Sequence, residues 1–398
     1  MKKIIIFLVF CAFHVVIYAV DMQSHMGTKE AQEAYSLYQN KQEAYYAGTF
    51  AHEELQSLEG DELFGALNTL MGNTCKIGSS SYSYKSLRYQ YINVDKDLNR
   101  EGYIIGYYDG YSMNGNWDLG AYNREHTWPQ SKGAKDTTPM GHDMQSVRPT
   151  NKAVNSDRSN YGYGERSTCS KCYDPDEVAI NNTLYDKSNL GSYRGDAARV
   201  IIYDYIVYGE AGGHKNALYN GNAQLLSKVD NQSSGVFESI PILLKWHMND
   251  PVSLTEMVRN DGAQDYQGNR NPFIDYPELA IQMLKNANGV KTYPVTVIGA
   301  QMWPSYQLTL ADGFIAYMGT SDHRPAEVTV IGASYTYDKA NGRLIVKNVA
   351  GEVTISAPSG EAIEEIQDVR KATKIVRDGQ LVIIKGGKMY NITGQVIQ

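Results

Sequence analysis

The chain has 398 residues, 42% of them hydrophobic and 20% charged, a globular balance with enough apolar material for one or two domains with real cores. Its formal net charge is −7 and its pI about 5.7, which excludes a surface that is basic throughout and, taken alone, argues against a polyanionic partner.

The first segment reads MKKIIIFLVFCAFHVVIYAV. Lys2 and Lys3 form a charged start, Ile4 to Val16 is apolar, and Ala19 can stand before a cut, so residues 1–19 are expected to be a signal peptide. An uncleaved anchor is the alternative, although the run is short for a span. No other long apolar run exists, so an exported protein, soluble and monomeric, is expected. Cleavage would leave Cys75, Cys169 and Cys172. Export permits disulfides, and CSKC reads as a local Cys169–Cys172 bridge. The other use, half of a zinc site, lacks a second pair of ligands. Cys75 has no assignment.

Helical periodicity runs from Asp21 to about Leu70, with Gly48 and Gly72 as candidate stops. From Ser79 to Tyr122 tyrosine is dense, and SYSYKSLRYQYINV and GYIIGYYDGYSMNG read as strands separated by turns. The helical period returns at Gly195 in GDAARVIIYDYIVYG, AQLLSKV, ESIPILLKWHMND and PVSLTEMVRNDGAQ. NPFIDYPELAIQMLKNA reads as a last helix. Past Gly289 the character turns to alternating strands, and VTVIGA occurs at both Val295 and Val328. That predicts a small β-rich module over 290–398, after a main domain over 20–289.

The chemistry concentrates in YNREHTWPQSKG and, twenty residues on, HDMQSVRPTNKAVNSDRSNYGYG. Hydrolysis of a phosphodiester needs a base for water and a cation for the charge that grows on phosphate. Histidine suits the first task, and one carboxylate with one neutral oxygen donor suffices for a hard ion that keeps its waters. DMQSVRP reads as a strand ended by Pro149, and Thr150 as the N-cap of a brief helix over residues 151–158. That helix would aim Asn155 at the strand bearing Glu125 and His126. In a regular strand those two neighbours face opposite sides, so the segment must be irregular there.

These segments, with GDAARVIIYDYIVY, LLKWHMNDPVSLTEMVRND and YQGNRNPFIDYPELA downstream, resemble the bacterial endonuclease I family over roughly residues 50–285. The resemblance implies an α+β fold: a ββα-metal (His-Me finger) core with peripheral helices. It implies a periplasmic or secreted enzyme that cuts DNA, and often RNA, with little sequence preference, leaving 5′-phosphates. By the same resemblance His126 is the general base, and Glu125 and Asn155 hold Mg²⁺, with Ca²⁺ or Mn²⁺ as alternatives. Some members place a phosphate-binding arginine between the histidine and the second strand. This chain has only Lys132 and Lys135 there, so Arg158, Arg148 and Lys152 become the candidates for phosphate or nucleic-acid binding. His142 is a candidate assistant.

Between Ala121 and Cys172 eight Lys/Arg face five Asp/Glu, a local +3 on an acidic chain, which suits backbone contact. Asn269, Arg270 and Asn271 read as a rigid buried turn, and Trp246 and His247 as helix packing. The ending GGKMYNITGQVIQ resembles type IX secretion sorting tails. Two rivals stay open: a surface nucleic-acid-binding or adhesion protein with an inactive nuclease core, and a phosphodiesterase for small substrates or lipids.

Overall fold

The computed structural model describes residues 29–169, 171–177, 179–180, 183–184, 192–225, 235–319 and 324–357, and in the tail 373–377, 380–385, 388–390 and 396–397. The expected leader, Cys11, most of AQLLSKV and most of the C-terminal ending lie outside these residues. The architecture is mixed α+β. One compact unit runs to Ala357, and a second spans Pro358–Gln398.

The periphery of the first unit is helical, as the periodicity predicts: α1 (Lys29–Tyr45), α2 (His52–Gln56) and α3 (Gly60–Thr74). Gly72 is not a stop, since α3 runs through it. The tyrosine-rich stretch departs from the strand reading. Leu87–Tyr89 is a 3-10 turn and α4 spans Tyr91–Val94. Local chemistry explains this: Ser83 and Ser86 trade main-chain and hydroxyl hydrogen bonds at 3.1 and 3.3 Å, closing a turn that competes with a strand ladder. Strands begin only with β1 (Tyr103–Ile105) and β2 (Ser112–Asn114), an antiparallel pair.

Next come β3 (Tyr122–His126) and β4 (Val147–Asn151), antiparallel, with Glu125 opposite Arg148 and His126 opposite Val147. Helix α5 (Lys152–Arg158) follows β4 directly. Its cap is Asn151, whose side chain accepts from the Ala153 amide at 2.9 Å; Thr150, the expected cap, belongs to the strand.

At the centre lies α6 (Arg194–Tyr208), with thirteen of its fifteen residues buried. A helix without a polar face belongs inside a core. Its charges reach out to fix neighbouring elements. Arg199 pairs with Glu256 at 2.6 Å, and Asp204 accepts from the Ser146 hydroxyl at 2.7 Å. The carboxylate of Asp143, four residues before β4, accepts from the Tyr203 and Tyr208 hydroxyls and the Gln267 amide, each at 2.7 Å. The loop that feeds β4 is thereby tied to the core.

Around α6 lie α7 (Ile240–Asn249) and α8 (Leu254–Gln267), which opens with a Ser253/Glu256 capping box. The expected last helix is two, α9 (Pro272–Asp275) and α10 (Glu278–Leu284), broken where Tyr276 precedes Pro277. The Asn269–Asn271 turn is fully buried: Arg270 reaches Asp275 at 2.9 Å and Asp261 at 2.8 Å.

The β-rich segment forms two four-stranded sheets. One orders Met302–Trp303, Phe314–Met318, Arg343–Lys347 and Ser334–Asp338; the other orders Leu308–Thr309, Tyr293–Ile298, Val353–Ser356 and Thr329–Ile331. The repeated VTVIGA motif is explained here. Both copies flank the same strand, Val353–Ser356, one parallel and one antiparallel. The repeated glycine ends each copy at positive φ, +77° at Gly299 and +89° at Gly332. A Cβ there would meet a main-chain oxygen at 2.4 or 2.0 Å, so only glycine fits. Phe314–Met318 packs on α7, so these sheets share the core of the helical part. In the second unit Thr373–Arg377, Gln380–Lys385, Lys388–Tyr390 and Val396–Ile397 form an antiparallel meander. Among the described residues no helix is long and apolar enough to cross a membrane.

His247 on α7 is packing, as expected: its Nε2 lies 2.7 Å from the Pro277 carbonyl oxygen, 1% exposed. Burial, aided by nearby Arg199, holds its pKa down to about 3. The unfolded chain therefore binds a proton at this ring between pH ~6.5 and about 3 that the folded chain does not, so stability falls as pH falls through that window. Denaturant unfolding should show a loss from this residue of about 1.4 kcal/mol per pH unit. A His247→Asn variant should show a correspondingly shallower pH dependence between pH ~6 and ~4.

Candidate active site

Glu125, His126 and Asn155 line one cleft of about 660 Å³, together with Tyr84, Trp117, Asn123, Arg124 and Gln130. Two elements deliver them: the end of β3 gives the acid and the imidazole, and the fourth residue of α5 gives the amide. Glu125 and His126 are 3% and 7% exposed. The alternation expected of a regular strand is broken, because both residues of the pair turn inward where β3 ends.

Two groups hold Glu125. The Tyr108 hydroxyl donates to its Oε1 at 3.0 Å, and Arg158 Nε lies 2.8 Å from the same oxygen. Tyr108 also meets the Tyr163 hydroxyl. Its backbone sits at φ +71°, a costly conformation for a residue with a side chain, fixed here by complete burial. Burial pushes the Glu125 carboxyl up to about 7, against the pull of Arg158 and Tyr108.

His126 is pushed the other way. Burial holds it at about 4, opposed by a hydrogen bond to the Gly141 main chain and helped by Arg124 and Arg158. A neutral ring bonded to a carbonyl through one nitrogen keeps a lone pair on the other. Gly141 cannot be replaced cheaply, because a Cβ there would stand 1.9 Å from the Lys135 carbonyl oxygen. The loop between the two strands thus folds back to steer the imidazole.

The two candidate arginines lie inside the protein. Arg158 is fully buried: besides Glu125 it donates to the carbonyls of Thr127, Ser159 and Tyr161 at 2.9, 3.1 and 2.8 Å. Arg148 is 4% exposed, 3.3 Å from Asp196, with its guanidinium 4.0 Å over the Tyr107 ring. Both face inward, each set against a buried carboxylate. Neither is presented to a phosphate in the cleft. Lys152 is exposed, beside Gly120 and outside the cleft lining. His142 is half-buried and also outside that lining. The bridge expected of Cys169 and Cys172 is not formed; the Cys172 thiol instead points at the Cys169 carbonyl oxygen, 2.9 Å away.

Arg124 is the cation that the sequence reading passed over, though it stands two residues before His126. It lines the cleft, with its guanidinium 3.4 Å over the Tyr84 ring. Tyr108 was missed as well. Its signal was the turn-forming YYDG within a tyrosine-rich run.

No group of three or more His, Cys, Asp or Glu that could hold a metal occurs among the described residues. The cleft lining offers one carboxylate, Glu125, and several side-chain amides, Asn155 among them, oxygen donors of the kind a hard cation that keeps its waters takes.

Residues 73–278 match the family model described as Endonuclease I. Two curated proteins are similar, each an extracellular ribonuclease. That of Bacillus amyloliquefaciens is 29% identical over 238 residues, covering 58% of this chain and 76% of the relative. That of Bacillus subtilis is 29% identical over 246 residues, covering 60% and 79%.

If Arg158 is a buried anchor, Arg158→Met should lower the free energy of unfolding by about 3–5 kcal/mol in a denaturant titration. A surface arginine waiting for phosphate would cost within about 0.5 kcal/mol.

Proposed function

The chain belongs to the Endonuclease I family of phosphodiester hydrolases, and on that footing we propose that it is an exported endonuclease that cuts internal bonds of RNA and DNA with little regard for sequence, leaving 5′-phosphates. The observation that carries this reading is the convergence of Glu125, His126 and Asn155 on one open cleft. The names of its Bacillus relatives support RNA as a substrate, and support release from the cell. The ββα arrangement of β3, β4 and α5 agrees with a His-Me finger core.

Glu125 and Asn155 would hold a single Mg²⁺, with Mn²⁺ or Ca²⁺ as substitutes. Both contacts to Glu125 described above fall on Oε1, so Oε2 is the atom this carboxylate would offer. When bound, such an ion supplies charge stabilisation for the phosphate and the departing oxygen.

The protein's own groups do the rest. His126 accepts a proton from water at the ring nitrogen turned away from Gly141. That water attacks phosphorus, and the bond to the 3′ oxygen breaks. The Gly141 main chain keeps the ring in orientation, and the low pKa of His126 keeps it neutral and ready to accept. Arg158 holds Glu125 in place from behind and never touches substrate. Arg124 contributes fixed positive charge on the cleft wall.

Supercoiled plasmid and a long RNA, each incubated with the purified chain, should be nicked in Mg²⁺ and left intact in EDTA. His126→Ala should slow cutting by roughly 10²–10⁴-fold, the usual contribution of a general base, with an unchanged far-ultraviolet spectrum. Undiminished cutting by that variant would reject the assignment.

A further inference from the structure

Beside the cleft runs a ladder of alternating aromatic rings and guanidinium groups. The Tyr84 ring lies 5.2 Å from the His126 ring. Arg124 stands 3.4 Å over Tyr84 and 4.9 Å over Trp117. Arg88 stands 6.0 Å over Trp117 and 4.6 Å over Tyr89. The first members line the cleft; the last, Tyr89, is 57% exposed. The ladder therefore starts at the proposed base and ends at the surface.

The two arginines of this ladder differ from those of the core. Arg148, Arg158, Arg199, Arg259 and Arg270 each lie within ion-pair distance of a carboxylate. Among the described residues Arg88 and Arg124 have no such partner, and Arg88 donates instead to the Tyr89 hydroxyl at 2.5 Å. They are held by π faces, and by the Tyr84 carbonyl in the case of Arg124. Their charge is left for an anion from outside. Aromatic faces interleaved with uncompensated cations suit a chain that carries both bases and phosphates.

We propose that Tyr84, Arg124, Trp117, Arg88 and Tyr89 form a track for an unpaired polynucleotide strand running out of the cleft, with bases stacked on the rings and phosphates on the guanidinium groups. The inference rests on the proposed nuclease reading and deepens it: the preferred substrate is single-stranded RNA or DNA. In a duplex the bases are stacked on each other, and their faces are closed to Trp117 and Tyr89. Both sugars share this chemistry, so strands of each are compared.

The test uses the full chain in EDTA, where binding is read without cutting. Fluorescence anisotropy is measured with a labelled single strand, as RNA and as DNA, and with the duplex of the same sequence. The intact chain should prefer the single strand by about tenfold or more. Trp117→Leu should weaken single-strand binding roughly five- to a hundredfold, with a far smaller change for duplex, and Trp117→Phe should restore most of it. Trp117 also packs edge-on against Tyr122 in β3, so Tyr89→Ser, at an exposed position, gives a readout independent of folding. Arg88→Gln should reduce the salt slope by about one phosphate contact. Equal affinity for single strand and duplex in the intact chain, or full single-strand binding by Trp117→Leu and Tyr89→Ser, would overturn the track. A preference that persists while plasmid and RNA stay uncut would count against the hydrolysis and support the track; cutting with no preference would refute the track alone.

Discussion

The buried guanidinium of Arg158 is the contact on which the site's geometry depends. It leaves the last turn of α5 and reaches the Glu125 carboxylate and the Thr127 carbonyl, on either side of His126. One side chain thereby fastens the helix that carries Asn155 to the strand end that carries the acid and the imidazole. A buried cation with one ionic and three carbonyl partners has no alternative arrangement of similar energy, because any shift leaves charge or a donor unsatisfied in a dry interior. Tyr108 completes the clasp from the other side, at the cost of a strained backbone. The cleft inherits its rigidity from these two groups rather than from the short strands themselves.

The electrostatics of the molecule follow a simple division. Inside, each buried arginine is matched to a carboxylate, while further buried acids such as Asp143 and Asp204 rest on hydroxyl and amide donors. Within residues 121–172 the buried charges cancel, Arg148 and Arg158 against Glu125 and Asp143, so the local +3 is carried by the remaining side chains, of which Lys132 also donates to the Gly235 carbonyl. The cations that remain for a polyanion near the cleft are held by aromatic rings. An acidic protein can therefore present a local electropositive edge without a basic stretch of sequence.

Much of this was legible in the sequence, for identifiable reasons. The long helices carried their period, α8 its capping box, and the ordered motifs from REHTWP to NRNPF the family. Glu125, His126 and Asn155 were named from residue chemistry and the resemblance, and they do share one cleft. What failed was long-range. Nothing local distinguishes an arginine that points at Glu125 from one that points at solvent, so the burial of Arg158 and Arg148 was not legible. The tyrosine-rich segment follows strand propensity, yet its serines close turns and its hydroxyls bond distant carbonyls, such as Tyr91 to Val147 at 3.3 Å. Propensity there yields to side-chain hydrogen bonds. The ladder of Tyr84, Arg124 and Trp117 draws on three separate segments and has no sequence signature.

The central claim is that an acid from β3 and an amide from α5 meet at one cation. Titration of Mn²⁺ into the purified chain, followed by the electron paramagnetic resonance signal of the free ion, tests it directly. The account predicts one ion taken up per chain, and none by either Glu125→Gln or Asn155→Ala. Uptake by both variants equal to that of the parent chain would contradict it.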